Sequence, residues 1–138
     1  MIENWLVPCN VKVYDVRKHF ENNDTIVWRN AFSIRQGDIV YLYVGKPFCE
    51  ILYRCLVLSD EVPPEILEKN TYAIPKKPIK NYYSKKEKYL ILKLEREFPH
   101  GTFPLTDLRE HGLGQVQLQA RLSRQLKAFI SSKINSLS

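Results

Sequence analysis

Apolar and polar positions along the first half of the chain predict strands around one helix. Residues 2–8 form a short apolar run that is typical of a strand. Over residues 12–22 apolar side chains recur at helical spacing, which predicts a helix with Asn10 as its N-cap. Residues 25–28 are mostly β-branched, and residues 39–44 are nearly all apolar or aromatic, so each stretch predicts a further strand.

The second half of the chain predicts two strands separated by one long connection, followed by two helices. Residues 49–59 are apolar on both faces, which predicts a long strand covered on both sides. Residues 70–87 form a connection, after which the alternating residues 88–95 return to strand. A short helix is expected over residues 104–111, and the apolar face of residues 122–134 predicts an amphipathic helix docked on the body.

These elements predict an α+β fold of five or six strands with flanking helices. A curved sheet that closes into a small barrel would protect the edge strands from pairing with other chains. With 138 residues, 44% of them hydrophobic, the chain can bury a core and is too apolar for wholesale disorder. We expect residues 1–138 to form a single domain, with residues 135–138 frayed.

Targeting features and thiols indicate a cytoplasmic protein. The first residues show neither the basic nor the apolar region of a secretory signal. No apolar run approaches the roughly 20 residues that span a bilayer, so we expect no membrane partner. The three cysteines are odd in number and lack a Cys-x-x-Cys spacing, so we expect reduced thiols in buried strands. They are Cys9, Cys49 and Cys55.

Positive charge is concentrated in one segment. The formal net charge is +6, and residues 75–93 alone hold seven lysines and one acidic residue, while the rest of the chain balances. Three tyrosines are interleaved with these lysines, a pattern typical of nucleic-acid binding. A solvated loop that serves only solubility is the alternative. The candidate phosphate-binding residues are Lys76, Lys77, Lys80, Lys85 and Lys86.

Catalytic and metal-binding motifs are absent from the sequence. There is no Gly-x-Ser-x-Gly elbow and no phosphate-cradling glycine loop, and the chain has only five glycines. Asp38 and Glu50 could suggest a nuclease pair, but no lysine lies two residues after Glu50. The three histidines lack metal-ligand spacing. We therefore expect no catalytic residue, no metal and no cofactor.

The cluster Trp28-Arg29-Asn30 carries the chemistry of a base-binding site. A tryptophan offers a flat π-face, and an adjacent arginine and asparagine can hydrogen-bond the edge of a planar ligand. This combination suits a nucleobase better than a metal or a reacting carbonyl. Trp28 could equally be a core residue on the pattern alone, and Trp5 is expected in the core because it lies inside an apolar strand.

The order of these motifs resembles the EVE domain family of the PUA-like superfamily and, more distantly, the YTH domains. The similarity covers nearly the whole chain through short motifs. Residues 112–122 are also similar to the C-terminal part of EVE-like modules from modification-dependent restriction systems. The other matching segments are residues 4–10, 28–30, 37–43, 52–58, 90–94 and 103–105.

The resemblance implies a PUA-like pseudo-barrel that flips a modified base into an aromatic pocket. Trp28 matches the cage tryptophan of the family, and Arg29 and Asn30 would bind the base or an adjacent phosphate. The exit of the first strand, at Asn10 and the backbone near Cys9, would contact the base edge. The remaining candidate pocket residues are Tyr43, Tyr72, Tyr82 and Tyr83.

The leading hypothesis is therefore a non-catalytic reader of modified bases, with DNA favoured over RNA. The base would be a methylated or otherwise modified cytosine or adenine, in a restriction or defence context. A nuclease or NTPase, as a subunit or a further domain, is the expected protein partner. The alternatives are an RNA-binding PUA-like module and a protein-interaction or antitoxin-like domain with an incidental basic loop.

Overall fold

The computed structural model describes most of the chain. Among the described residues, six strands and three helices follow one another, and no helix is long and apolar enough to cross a membrane. The described residues are 2–11, 15–30, 32–62, 88–116 and 118–137. The elements are β1 (Asn4–Cys9), α1 (Val16–Asn22), β2 (Thr25–Arg29), β3 (Ile39–Val44), β4 (Glu50–Ser59), β5 (Tyr89–Glu97), α2 (Leu105–Glu110), β6 (Ala120–Arg121) and α3 (Arg124–Ser136).

The six strands form one mixed sheet in the order β2-β5-β4-β3-β1-β6. β1 lies parallel to β3, because α1 and β2 return the chain between them, and the other neighbouring pairs are antiparallel. Separate helices around this mostly antiparallel sheet confirm the predicted α+β fold. Within the described residues, the ladder of backbone hydrogen bonds does not close into a ring, so the barrel is a pseudo-barrel.

The predictions of the five longer strands agree closely with the structure, whereas no strand was predicted at β6. β3 covers the predicted residues, and β4 and β5 differ from prediction by one or two residues at their ends. Cys9 and Cys55 are buried in β1 and β4, whereas Cys49 is half-buried just before β4. All three are free thiols. The expectation of reduced strand cysteines therefore holds for two of them.

The first helix begins later than predicted. It starts at Val16 rather than near residue 12, because the Asp15 carboxylate accepts the N–H of Lys18 at 3.2 Å and caps the helix there. Asn10 is therefore not the N-cap, and that prediction is wrong. Asn10 is exposed beyond the end of β1 instead.

The last helix is displaced in the same way. The Ser123 hydroxyl accepts the N–H of Leu126 at 3.2 Å, so α3 begins at Arg124. Leu122, which the pattern assigns to the helix, donates its N–H to the carbonyl of Asn4 at 2.9 Å. Leu122 thus continues the pairing of β6 along β1.

Both faces of the sheet are buried, in two separate clusters. The inner cluster joins β1 with β2, which lie near opposite edges of the sheet, so the sheet curls around it. The outer cluster lies under α2 and α3. Inner residues include Trp5, Val7, Cys9, Ile26, Trp28, Leu42, Cys55 and Leu92. Outer residues include Leu6, Tyr41, Tyr43, Ile51, Phe103, Leu108, Leu126 and Ile130.

Candidate nucleic-acid interface

Trp28 lies near the end of β2, an edge strand of the sheet. It pairs with Leu90 of β5 and points into the inner cluster, where its side chain is 7% exposed. Arg29 follows as the last residue of the strand and is exposed. Strand alternation thus turns the indole inward and the guanidinium outward at the same place. A buried aromatic ring is therefore followed directly by an exposed cation.

Asn30 fixes the loop that follows Trp28. Its backbone N–H donates to the carbonyl of Lys88 at 2.8 Å, which extends the pairing of β2 with β5. Its side-chain Nδ2 donates to the carbonyl of Ile34 at 2.9 Å, and its Oδ1 accepts the N–H of Ile34 at 3.3 Å. The amide is thus engaged with the backbone, and Asn30 positions the loop around Trp28.

The two edges of the sheet meet beside this loop. Gln119 immediately precedes β6, and its Nε2 donates to the carbonyl of Arg29 at 2.6 Å across 90 positions of sequence. Ala120 pairs with Leu6, so antiparallel geometry places Gln119 level with Val7. The end of β2 therefore lies beside the residue that precedes β6, at the level of Val7. We call this junction, formed by Arg29 and Gln119, the seam.

The two edges of the sheet meet out of register at the seam. Through the strand pairings, Cys9 lies opposite Val44, and Val44 lies opposite Glu50 at the start of β4. Trp28 pairs with Leu90 of β5, which lies next to the other end of β4. Such an offset on closure is the shear of a barrel. The seam returns the end of β2 to the level of Val7, two positions before β1 ends at Cys9.

The other predicted pocket residues lie elsewhere or outside the described residues. Tyr43 belongs to the outer cluster, on the other face of the sheet from Trp28. Burial raises the pKa of Tyr43 to about 12, with a hydrogen bond to Cys49 adding to the effect. Tyr72, Tyr82, Tyr83 and the predicted phosphate-binding residues Lys76, Lys77, Lys80, Lys85 and Lys86 lie outside the described residues.

The exit of β1 is bordered by a cationic aromatic cluster that the pattern of the sequence missed. The carbonyl of Cys9 accepts the N–H of Gly45 at 3.0 Å, which fixes the turn between β3 and β4. Phe48 of this turn lies between the guanidinium of Arg17, 4.7 Å from its ring centroid, and the stacked ring of His100 at 5.5 Å. Such a cluster can contact a phosphate or a base.

The pattern of the sequence also failed to indicate the roles of Gln119 and Arg121. Arg121 pairs with Trp5, and its guanidinium lies 5.2 Å from the centroid of the indole. These residues fall in the segment of residues 112–122 singled out by its resemblance to restriction modules. A glutamine and an arginine that flank a single small residue gave no local signal, because their contacts are made across the sheet.

Asp38 and Glu50 are both buried, and both bind groups of the fold. Asp38 accepts N–H groups near the start of β1, and Glu50 accepts the N–H of Gly101 at 2.8 Å and lies 3.1 Å from Nδ1 of His100. Across the described ranges, no group of three or more potential ligands could hold a metal ion. Both carboxylates thus have partners within the fold.

Several solved structures share the fold of this chain. The ASCH protein of Zymomonas mobilis is 12% identical over 98% of this chain and 95% of its own, with a TM-score of 0.62. Human THYN1, in complex with 5-methylcytosine-containing DNA, is 12% identical over 94% and 96%, with a TM-score of 0.63. A hypothetical protein from Leishmania major is 14% identical over 100% and 98%, with a TM-score of 0.64.

The fold is PUA-like. Identities this low carry the fold and nothing further, and the similarity extends over almost the full length of each chain. No protein-family model matches the sequence, and no curated protein matches it. Within the PUA-like fold, the seam of this chain joins the two edges of an open sheet, as the predicted pseudo-barrel requires.

Proposed function

We propose that this protein is a non-catalytic, EVE-type module that binds nucleic acid and reads a modified base. The base is a methylated or otherwise modified cytosine or adenine, in DNA rather than RNA. It is flipped out of the stack into the opening between the end of β2 and the exit of β1, and Trp28 supplies the stacking face.

The position of Trp28 beside the seam carries this proposal. An inward-facing indole, followed by an exposed arginine, stands where the two edges of the sheet meet. Pockets of β-barrels form at such mouths. Because Trp28 is 7% exposed, a base reaches its face only when the side chains around the indole move aside. This adjustment would add to the cost of binding and make the site selective.

The chemistry of the fold supports the same function. Human THYN1, which shares the PUA-like fold, was solved with 5-methylcytosine-containing DNA. Extruding a base costs a few kcal/mol, and stacking on an aromatic ring returns roughly 1–3 kcal/mol per base. Hydrogen bonds to the base edge must supply the remainder. Asn10 and the backbone near Cys9 would provide these bonds.

Phosphate contacts would complete the interface. Arg29 is exposed beside Trp28, and Arg17 and His100 border the exit of β1. The lysines of residues 76–86 would add the sequence-independent attraction of a basic segment to the phosphate backbone. The module would act in a cytoplasmic restriction or defence system, with a nuclease or NTPase performing the reaction that follows recognition.

A panel of oligonucleotides tests the proposal. Fluorescence anisotropy would compare duplexes with one 5-methylcytosine, 5-hydroxymethylcytosine or N6-methyladenine against the unmodified duplex, with single-stranded DNA and RNA of the same sequences. We expect one modified duplex to bind at least tenfold more tightly than its unmodified counterpart. Equal affinity for every member would overturn modified-base reading, and a preference confined to RNA would replace DNA with RNA as the ligand.

Base extrusion has its own readout. A 2-aminopurine placed beside the preferred modified base gains fluorescence when its neighbour leaves the stack. We expect this gain with the modified duplex and not with the unmodified one at saturating protein. Tight modified-base binding without the gain would mean that the base is read within the helix, and the flipping step would be wrong.

A further inference from the structure

A groove lies on the opposite side of the sheet from Trp28. It has a volume of about 340 Å³ and separates α3 from the outer face of β1, β3 and β4. Its floor is apolar, and its walls carry two basic side chains. The lining residues include Ile39, Tyr41, Arg54, Lys127, Ser131 and Ile134.

The basic side chains face the groove from different elements. Arg54 belongs to β4 and Lys127 to α3, so a basic side chain lines the groove on each of two elements. Nε of Arg54 is buried, has no hydrogen-bond partner among the described residues, and lies 3.8 Å from Oε1 of Glu95. This separation exceeds hydrogen-bond length, so Glu95 offsets the charge of Arg54 without occupying this donor. A buried N–H that the described part of the chain leaves unsatisfied thus belongs to a side chain that lines the groove.

Tyr41 connects the apolar floor with the charged wall. Burial raises the pKa of its hydroxyl, the charge of Arg54 acts in the opposite direction, and Glu95 raises the pKa slightly further. The hydroxyl and the guanidinium therefore share one local environment. A neutral hydroxyl beside a guanidinium can donate to an anionic oxygen that the arginine also holds.

From this geometry we infer that the groove binds a small phosphate monoester carried on an apolar or planar body, of the size of a mononucleotide. Arg54 and Lys127 hold the phosphate, and Ile39 and Ile134 contact the body. The volume lies at the lower end of the roughly 300–1,000 Å³ of small-molecule sites, which favours a single nucleotide over a strand. The inference is independent of the proposed reading of modified bases.

Titration of the whole protein with adenosine 5′-monophosphate tests the inference by amide chemical shifts. We expect saturable shifts at Tyr41 and Lys127, with adenosine and inorganic phosphate each binding at least about tenfold more weakly than the monophosphate. The expected shifts are confined to the groove. No saturable shift up to about 10 mM, or shifts centred on Trp28 and Arg29 instead, would overturn the inference.

Matched variants of α3 separate groove binding from general attraction to a basic protein. Lys127→Met removes a groove charge, and Arg124→Met removes an exposed charge of the same helix that does not line the groove. We expect about a tenfold loss of affinity for K127M and less than twofold for R124M. Equal losses would mean non-specific attraction and would overturn the inference.

Two further substitutions address size and charge. Ser131→Phe should block the groove, whereas Ser132→Phe, at the next position and exposed, should not. Glu95→Gln removes the carboxylate beside Arg54 and should tighten monophosphate binding two- to threefold. Unchanged affinity in S131F would contradict binding in the groove. Weaker binding in E95Q would contradict the assignment of the phosphate to Arg54.

Discussion

The indole N–H of Trp5 donates to Oδ2 of Asp38 at 2.9 Å, both residues being buried. The same carboxylate accepts the backbone N–H of Glu3 at 3.1 Å and of Arg35 at 3.0 Å. Asp38 therefore joins the start of β1, the loop after β2 and the start of β3. A buried carboxylate with three donors is held by charge-assisted bonds, so it organises the base of the pseudo-barrel.

Replacing Asp38 with Ala should destabilise the protein strongly. The change leaves three N–H donors, including the indole of Trp5, without their acceptor, and each buried unsatisfied group costs about 1–3 kcal/mol. We expect a loss of about 3–5 kcal/mol in urea unfolding at neutral pH. Asp60→Ala is the matched control, because the bond that Asp60 accepts from the N–H of Gln36 is exposed. Similar losses in both variants would contradict the role given to Asp38.

Local pattern was sufficient for the five longer strands, and insufficient for the two-residue β6 and for the faces of the sheet. Residues 39–44 are continuously apolar or aromatic, and β3 covers those residues with every side chain buried. Such a run gives no indication of which face is inner, because both faces are covered. Tyr43 was assigned to the pocket, whereas the structure packs it with the outer cluster. The starting points of α1 and α3 are set by the capping side chains of Asp15 and Ser123, which the periodicity of apolar residues does not reveal.

The seam was beyond the reach of local patterns for a different reason. Gln119 and Arg29 are 90 positions apart, and their bond exists only after the sheet has curled. The fold itself was predictable because the order of short motifs resembles one superfamily over nearly the whole chain. The position of Trp28 in the sequence suggested a base pocket, and the structure adds that the indole is packed in the inner cluster.

Replacing Gln119 with Glu should open the seam. A carboxylate cannot donate to the Arg29 carbonyl, and two oxygens facing each other repel, so we expect a loss of about 1–3 kcal/mol of stability. Hydrogen exchange of backbone amides in β2 should accelerate more than exchange in β3. Gln115→Glu, a change of the same charge at an exposed position, should leave both quantities unaltered. Equal acceleration of hydrogen exchange in β2 and β3 would mean that the destabilisation is not local to the seam.

Stability should fall at alkaline pH, in part through Cys55. Burial raises the pKa of this thiol above its ordinary value of 9.0, and Glu95 contributes further. A thiol that is harder to ionise in the folded state keeps its proton longer than in the unfolded chain, so stability is lost as pH rises above about 9. Urea unfolding between about pH 7 and about pH 10.5 should show a smaller decline for Cys55→Val than for wild type. An equal decline would exclude Cys55 as a source.

Neutralising the basic segment should weaken binding to every nucleic acid. Replacing Lys76, Lys77, Lys80, Lys85 and Lys86 with glutamine removes charges that would neutralise phosphates. The slope of log affinity against log salt should therefore become shallower, by about 0.9 for each duplex phosphate that is no longer neutralised. The preference for the modified duplex should persist, since binding to phosphates carries no base information. If the preference disappeared while the slope stayed unchanged, this segment would be reading bases.

Trp28→Leu should remove modified-base discrimination while retaining part of the packing. Leucine fills much of the space opposite Leu90 but has no π-face, and stacking on an aromatic ring is worth roughly 1–3 kcal/mol per base. We expect the ratio of modified to unmodified affinity to fall about tenfold or more, with the salt-dependent background intact. Trp28→Ala would be harder to interpret, because truncating a buried tryptophan typically costs about 3–5 kcal/mol.

Trp5→Leu is the control for Trp28→Leu. Trp5 is a buried indole of the same inner cluster, but its N–H is hydrogen-bonded to Asp38, just before β3. Both variants should lower the melting temperature, and only Trp28→Leu should lose discrimination. Measuring melting and the affinity ratio on each protein separates the two effects. If both variants melt early and keep the same affinity ratio as wild type, Trp28 is a core residue, and the base must be read at another surface.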